Sequence, residues 1–269
     1  LSRPFNLNGV ITATIAEVQM ENLELGFGKT RATGDLRVEF GDKLIANSRL
    51  ELKTLDLDEM TNITGRRSIV GVKATRDLVK PASKILPAEA TPLRFALPKS
   101  FEASIIVSVD TIAFRNDLIR DAVLNARLRD GVLKVNQFSA QFPGGSDLAA
   151  SMQLSTPDGI PTFKADIESA ISDFRGILGW LEVAIPGVAA DRLRKISVRA
   201  QINGTLEQFQ IRNIDLYFDS SHLTGGLTLA LRKRWALGAN LTLDRLNLDS
   251  YIQPLKSETS RQINKREDK

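Results

Sequence analysis

The 269 residues include no cysteine, one histidine, two tryptophans and two tyrosines. Without cysteine there are no disulfides, no thiolate metal ligands and no thiol nucleophile, although the compartment stays open because many periplasmic proteins lack cysteine too. No apolar run reaches the roughly 20 residues of a membrane-spanning helix, and nothing near Leu1 reads as a signal peptide. The formal net charge is only +4, with Lys and Arg spread among Asp and Glu. Nucleic-acid binding asks for a dense basic face with interleaved aromatics, so nucleic acid is set aside as a partner. The shortage of Trp and Tyr argues equally against a transmembrane β-barrel, which needs aromatic girdles at both interfaces.

Motifs of catalysis are missing too. There is no G-x-G-x-x-G or G-x-x-x-x-G-K-[ST] loop to cradle phosphates, and no serine sits in a G-x-S-x-G elbow. His222, just before Thr224-Gly225 at an expected turn, reads as a solvated side chain. Asp56, Asp58 and Asp249 sit at strand ends and read as caps, with Asp58 placed to cap a helical turn over residues 59–63. Arg232-Lys233-Arg234 reads as exposed charge at a hairpin tip. These residues suggest a non-enzymatic protein with no metal site and no cofactor.

What the chain does have is a repeat. Residues 196–251 fall without a gap on residues 5–60 when shifted by 191 positions. Fourteen of the fifty-six pairs are identical, among them Asn22/Asn213, Phe27/Phe218, Thr33-Gly34/Thr224-Gly225 and Asp58/Asp249. A self-match of this length is read before any single residue. Inside each copy the apolar residues alternate, as in Ile196, Val198, Ala200, Ile202 or Leu227, Leu229, Leu231. A period of two marks a half-buried strand, and polar residues on the second face favour antiparallel pairing with one wet side. The alternation slips between Met20 and Leu23, mirrored by Ile211 and Ile214, and again between Leu52 and Leu55, mirrored by Leu243 and Leu246. Either a β-bulge or a turn fits each slip, and either way the sheet is built to curve.

Taken in order, residues 1–60 form a first β unit, and 61–98, broken by Pro81, Pro87, Pro92 and Pro98, form a linker with room for one helical turn at 75–80. Residues 99–171 form a middle β unit, with Asp130-Gly131 as a hairpin signal and Gly144-Gly145 as another turn. Residues 172–195 are a helical connector: Phe174, Ile177, Leu178 and Leu181 share a helix face, and a short second helix is expected over 189–195. Residues 196–252 form the second copy, and 253–269 a polar, charged tail read as disordered. The non-methionine start suggests a segment of a longer chain. The expected fold is mainly β: a curved, twisted antiparallel sheet of repeats, groove-like or partly closed, with a few short helices.

Three stretches carry a resemblance: FEASIIVSVDTIAFRNDLIRDAVLNARLRDGVLKVNQFSAQFPGG, INGTLEQFQIRNIDLYFDSSHLTGGLTL and LTLDRLNLDSYI. Together they resemble the C-terminal repeat region of AsmA-family proteins of Gram-negative bacteria. That resemblance implies a periplasmic protein anchored to the inner membrane by a segment absent here, supporting outer-membrane assembly. It also implies kinship with bridge-like lipid-transfer proteins, whose repeated strands form an apolar groove that binds or conducts phospholipid.

The residues themselves lead to a choice. One amphipathic helix covers only part of such a sheet, so its apolar face either folds into a closed core, as in an adhesin-like structural repeat, or holds an aliphatic ligand. The candidate lipid-binding residues are Leu25, Phe27, Leu36, Val38, Phe40, Leu50 and Leu52 in copy one. In copy two they are Leu216, Phe218, Leu227, Leu229, Leu231, Leu241 and Leu243.

Overall fold

Alternation on this scale leaves the backbone little choice but strands, and the computed structural model has thirteen of them. It describes residues 5–28, 30–59, 94–231, 235–246 and 251, with only the backbone at Phe5. The first copy supplies β1 (Phe5–Ala13), β2 (Glu17–Phe27), β3 (Thr30–Glu39) and β4 (Leu44–Asp56). The middle supplies β5 (Phe101–Phe114), β6 (Asp117–Arg129), β7 (Val132–Phe142), β8 (Ser146–Ser155) and β9 (Thr162–Ile171). The second copy supplies β10 (Ile196–Thr205), β11 (Gln208–Phe218), β12 (Ser221–Leu231) and β13 (Trp235–Leu243). Every strand lies beside its sequence neighbour in one sheet that curls without closing.

All neighbours pair antiparallel except β4 and β5, which are parallel from Leu44↔Phe101 to Asp56↔Ala113. The expected curved antiparallel sheet is thus present with one parallel junction in it. A tight hairpin reverses the chain, whereas two parallel strands need a connection long enough to run back along the sheet. The 13 residues of β4 span about 43 Å at about 3.3 Å each, so only a long connection can return the chain to the start of β5.

The slips in alternation are bulges. Between β2 and β3 the register shifts between Met20 and Leu23, where Glu21 and Asn22 face the single residue Asp35; between β11 and β12 it shifts between Ile211 and Ile214. Asn22 and Asn213 take the left-handed conformation there, at φ 51° and 50°, and Asp121 does the same in β6 at φ 49°. Asparagine and aspartate tolerate this region better than other side-chain-bearing residues. A further shift at Asn8/Val10 recurs at Arg199/Gln201. The second slip of copy one is a bulge at Lys53, where Ala32 pairs with Leu52 and Arg31 with Thr54. Its counterpart in copy two falls at Asp244, just beyond the end of β13. Gly34 and Gly225 are needed for space: a Cβ at either would run into the carbonyl oxygen of Arg49 or Asn240 on the neighbouring strand.

The turns mostly follow the residues. Asp130 and Gly131 both have positive φ, 50° and 73°, as a two-residue hairpin of type I′ requires. Helix α1 forms at Phe174–Trp180. Residues 189–195 are turns and bends, so the expected second helix is absent. Leu193 is held at φ 56° while the Leu193 and Arg194 amides donate to the Asp219 carboxylate, which breaks helical hydrogen bonding there. At the end of β4 the cap is Asp56, whose Oδ1 accepts the Glu59 amide at 2.7 Å. Asp58 instead reaches across to the β5–β6 turn and accepts the amides of Arg115 and Asn116. The expected turns at 75–80 and the tail at 253–269 lie outside the described residues, as does Asp249.

Candidate functional site

Side chains of directly paired residues share a face, so the register carries one face across the whole sheet. One transverse row reads Ile11, Met20, Leu36, Ser48, Ile105, Ala126, Val135, Met152, Ala165, Ile202, Ile211, Leu227, Ala239, each residue paired with the next. A second, two residues away, runs without a break from Ala13 through Val18, Val38, Ala46, Ala103, Leu128, Leu133, Leu154, Phe163, Gly204, Phe209 and Leu229 to Leu237. Neither contains a charge. The row between them points the other way and carries Gln19, Arg37, Asn47, Ser104, Arg127, Lys134, Gln153, Lys164, Asn203 and Gln210. At about 4.8 Å per strand, twelve intervals make each row about 58 Å long.

The register places thirteen of the fourteen candidate residues on this apolar face, Phe40 being unpaired. Leu25 pairs with Ala32 and Ala32 with Leu52; Leu50 pairs with Gly34; Leu36 and Val38 lie in the two rows above. Leu216 pairs with Leu223 and Leu223 with Leu243; Leu241 pairs with Gly225, and Leu227 and Leu229 lie in the rows. Phe27, Phe218 and Leu231 stand at strand ends, and Phe40, one residue past β3, is 48% exposed. The middle unit was missed as part of the site. Ile105, Val107, Leu124, Phe138 and Ile167 bridge the two copies on the same face. Their alternation was visible, but nothing local says which of a strand's faces aligns with that of a distant repeat.

The face is sheltered without being a filled core. Along β9 the apolar-face residues are half-buried and the polar ones exposed, and β10 is similar with Ala200 buried. Among the described residues no side chain is less than 2% exposed, and beyond alanine and Pro161 the buried apolar side chains are Leu23, Val109, Ile119 and Ile177. Part of that burial comes from α1. Trp180 packs on the cluster of Val109, Ile119, Ala122 and Ala140, stands edge-on to Phe114 at 5.9 Å, and donates Nε1–H to the Phe114 carbonyl at 3.1 Å. The helix thus closes one corner of the face, over the strands from β5 to β7.

Charged and polar groups gather on the opposite face and at strand ends, where they satisfy one another. A shallow depression of about 510 Å³ on the polar face is lined by Gln137, Ser151, Asp166, Glu168, Arg199, Gln201 and Asn213. There Arg199 binds Glu168 at 2.6 Å, Gln201 binds Asp166 at 2.9 Å, and Asn213 donates to Gln201 at 2.7 Å. His222 lies in β12 and not in a turn; Nε2 is 2.6 Å from Asp215 Oδ1 and the ring stacks on Tyr217 at 4.0 Å. Lys43 is held above the usual lysine range by hydrogen bonds to Asp130 and Glu102, which tie the β3–β4 turn to β5 and β6. Among the described residues no cluster of His, Asp or Glu is arranged to hold a metal ion, and no helix is long and apolar enough to cross a membrane.

No family model, curated protein or solved structure matches the chain.

Proposed function

We propose that this chain binds phospholipid acyl chains along its apolar face and conducts them across the sheet, as a non-enzymatic part of a lipid-transfer protein of the bacterial envelope. The observation that carries this reading is the pair of unbroken, uncharged rows crossing all thirteen strands, half-buried or buried from β2 to β12, with α1 packed over one corner. An apolar surface of this extent is unfavourable in water and is stabilised by an aliphatic occupant. Nothing in the rows is shaped to select a headgroup, which suits a ligand recognised by its tails. The compartment, the inner-membrane anchor and the role in outer-membrane assembly rest on the resemblance to AsmA-family repeats.

Mass spectrometry of the purified, folded protein should find copurifying phospholipid. Leu229→Asp tests the face: Leu229 sits in a row between Phe209 and Leu237. On an open face the new carboxylate reaches water, so the strands survive while lipid content drops severalfold. In a closed core the same unpaired charge would cost several kcal/mol and unfold the sheet. An unfolded variant therefore favours the structural β-repeat with no ligand, and a folded variant with unchanged lipid overturns the choice of face.

A further inference from the structure

The repeat assigns an occupant to the free edge of β13. Its strands recur at one offset: β2 begins at Glu17 and ends at Phe27, and β11 begins and ends 191 residues later at Gln208 and Phe218. Both bulges between β2 and β3 and between β11 and β12 recur at that offset too. By the same offset β13, starting at Trp235, is the counterpart of β4, starting at Leu44. β4 has two neighbours, β3 on one side and the parallel strand β5 on the other; among the described residues β13 pairs with β12 alone.

The exposed edge carries none of the usual protection. Every residue of β13, WALGANLTL, is exposed, and the strand has no charge and no proline. Trp235 is 76% exposed where its counterpart Leu44, flanked by β5, is 38%, and Leu241 and Leu243 are exposed where Leu50 and Leu52 are half-buried. An uncharged, alternating edge without proline is a template for a further strand. β4 also holds its neighbour at both ends: Lys43 binds Glu102 and Asp130, and Asp58 accepts the amides of the β5–β6 turn. The self-match keeps the charge type at both positions, with Arg234 opposite Lys43 and Asp249 opposite Asp58.

We propose that the edge of β13 docks a strand of β5 type from a further unit of the same repeat, running parallel to β13 in the register that β5 adopts on β4. Leu44↔Phe101 then becomes Trp235 opposite a large apolar residue, and Leu52↔Val109 becomes Leu243 opposite a β-branched one. A second copy stacked in the same orientation does not meet this requirement. With one parallel junction in the order, β1 and β13 run in opposite directions, so such a copy would offer an antiparallel strand.

The absence of cysteine makes the test clean. Gly238→Cys in the full chain places one thiol on β13, where an added Cβ meets nothing within 4 Å. The probe is a synthetic peptide of residues 99–116, made as Ser104→Cys or Ser108→Cys, in a glutathione redox buffer. The parallel register puts Ser104 opposite Gly238, because Asn47↔Ser104 is the corresponding pair on β4. Ser108 falls about 13 Å along the strand, beyond disulfide reach. The mixed disulfide should form roughly tenfold faster with the Ser104→Cys peptide, a bias set by that geometry, and should be lost when Leu241→Lys is added to the folded chain. Equal rates, a preference for Ser108→Cys, no disulfide with either peptide, or cross-linking mainly between two copies of the chain would each overturn the proposal.

Discussion

At the residue scale, Asp219 shows how one carboxylate organises backbone that no pattern specifies. Its oxygens accept the amides of Leu193 and Arg194 and the hydroxyl of Tyr251, which pins the connector after α1 to the β11–β12 turn. Burial works to raise the Asp219 pKa, but these donors outweigh it and the carboxyl is held below its ordinary value. Tyr251 moves the other way, pushed up to about 12 by burial first and by Asp219 second. The neutral phenol is therefore favoured by folding. That contribution is fully present below pH 10.0, the ordinary tyrosine value, and is lost as pH rises toward about 12. The Asp219 contribution is present above its ordinary value of 3.8 and is lost as pH falls through its lowered pKa. In a Tyr217→Phe background, phenolate absorbance should report a midpoint near 12 for Tyr251. Asp219→Asn should lower that midpoint only part of the way, because burial is the larger cause.

At the element scale, backbone geometry at the bulges accounts for two of the identities the repeat keeps. Most apolar positions of the two copies preserve only their class, as in Val38/Leu229 or Leu23/Ile214, because a half-buried sheet face accepts any side chain of suitable size. Asn22/Asn213 and Gly34/Gly225 are identical because backbone geometry demands them: a left-handed φ at the first pair and close approach of a neighbouring strand at the second. Replacing Asn213 by valine should cost about 1–2 kcal/mol, the usual penalty for a left-handed residue with a bulky Cβ, and Asn213→Gly should cost much less. Urea unfolding midpoints check both. Gly225→Ala should be the more damaging change at this bulge, since its φ is 132° and the added Cβ meets the Asn240 carbonyl oxygen. A Gly225→Ala protein as stable as the parent would show that the strand can move aside.

At the scale of the whole molecule, length and continuity matter more than any single contact. If lipid travels along rows about 58 Å long, a charge halfway across should stop it without emptying the face. Val135 and Met152 are adjacent in the same row, on β7 and β8 near the middle of the sheet. Val135→Asp with Met152→Asp should leave much of the copurifying lipid in place while phospholipid transfer between donor and acceptor vesicles falls at least severalfold. Transfer at the parental rate with both aspartates in place would reject conduction along the rows, even if binding remained.

What the amino-acid order determined by itself was most of the local pattern. Period-two alternation made strands, Asp130-Gly131 made a hairpin, and the slips at Asn22 and Asn213 marked breaks in the ladder, because each depends on residues only a few positions apart. The pairing decided that the breaks are bulges and not turns. The repeat then made the two ends equivalent. Tertiary structure alone decided the parallel junction of β4 with β5, the alignment of the middle unit's apolar face with those of the two copies, and the seat of Trp180 over Val109. It also turned Asp58 from an expected cap into a tie to Arg115, 57 residues away in sequence. Such contacts join segments whose separation along the chain leaves no periodic trace, and they are selected by which apolar faces and carboxylates meet once the sheet has curled.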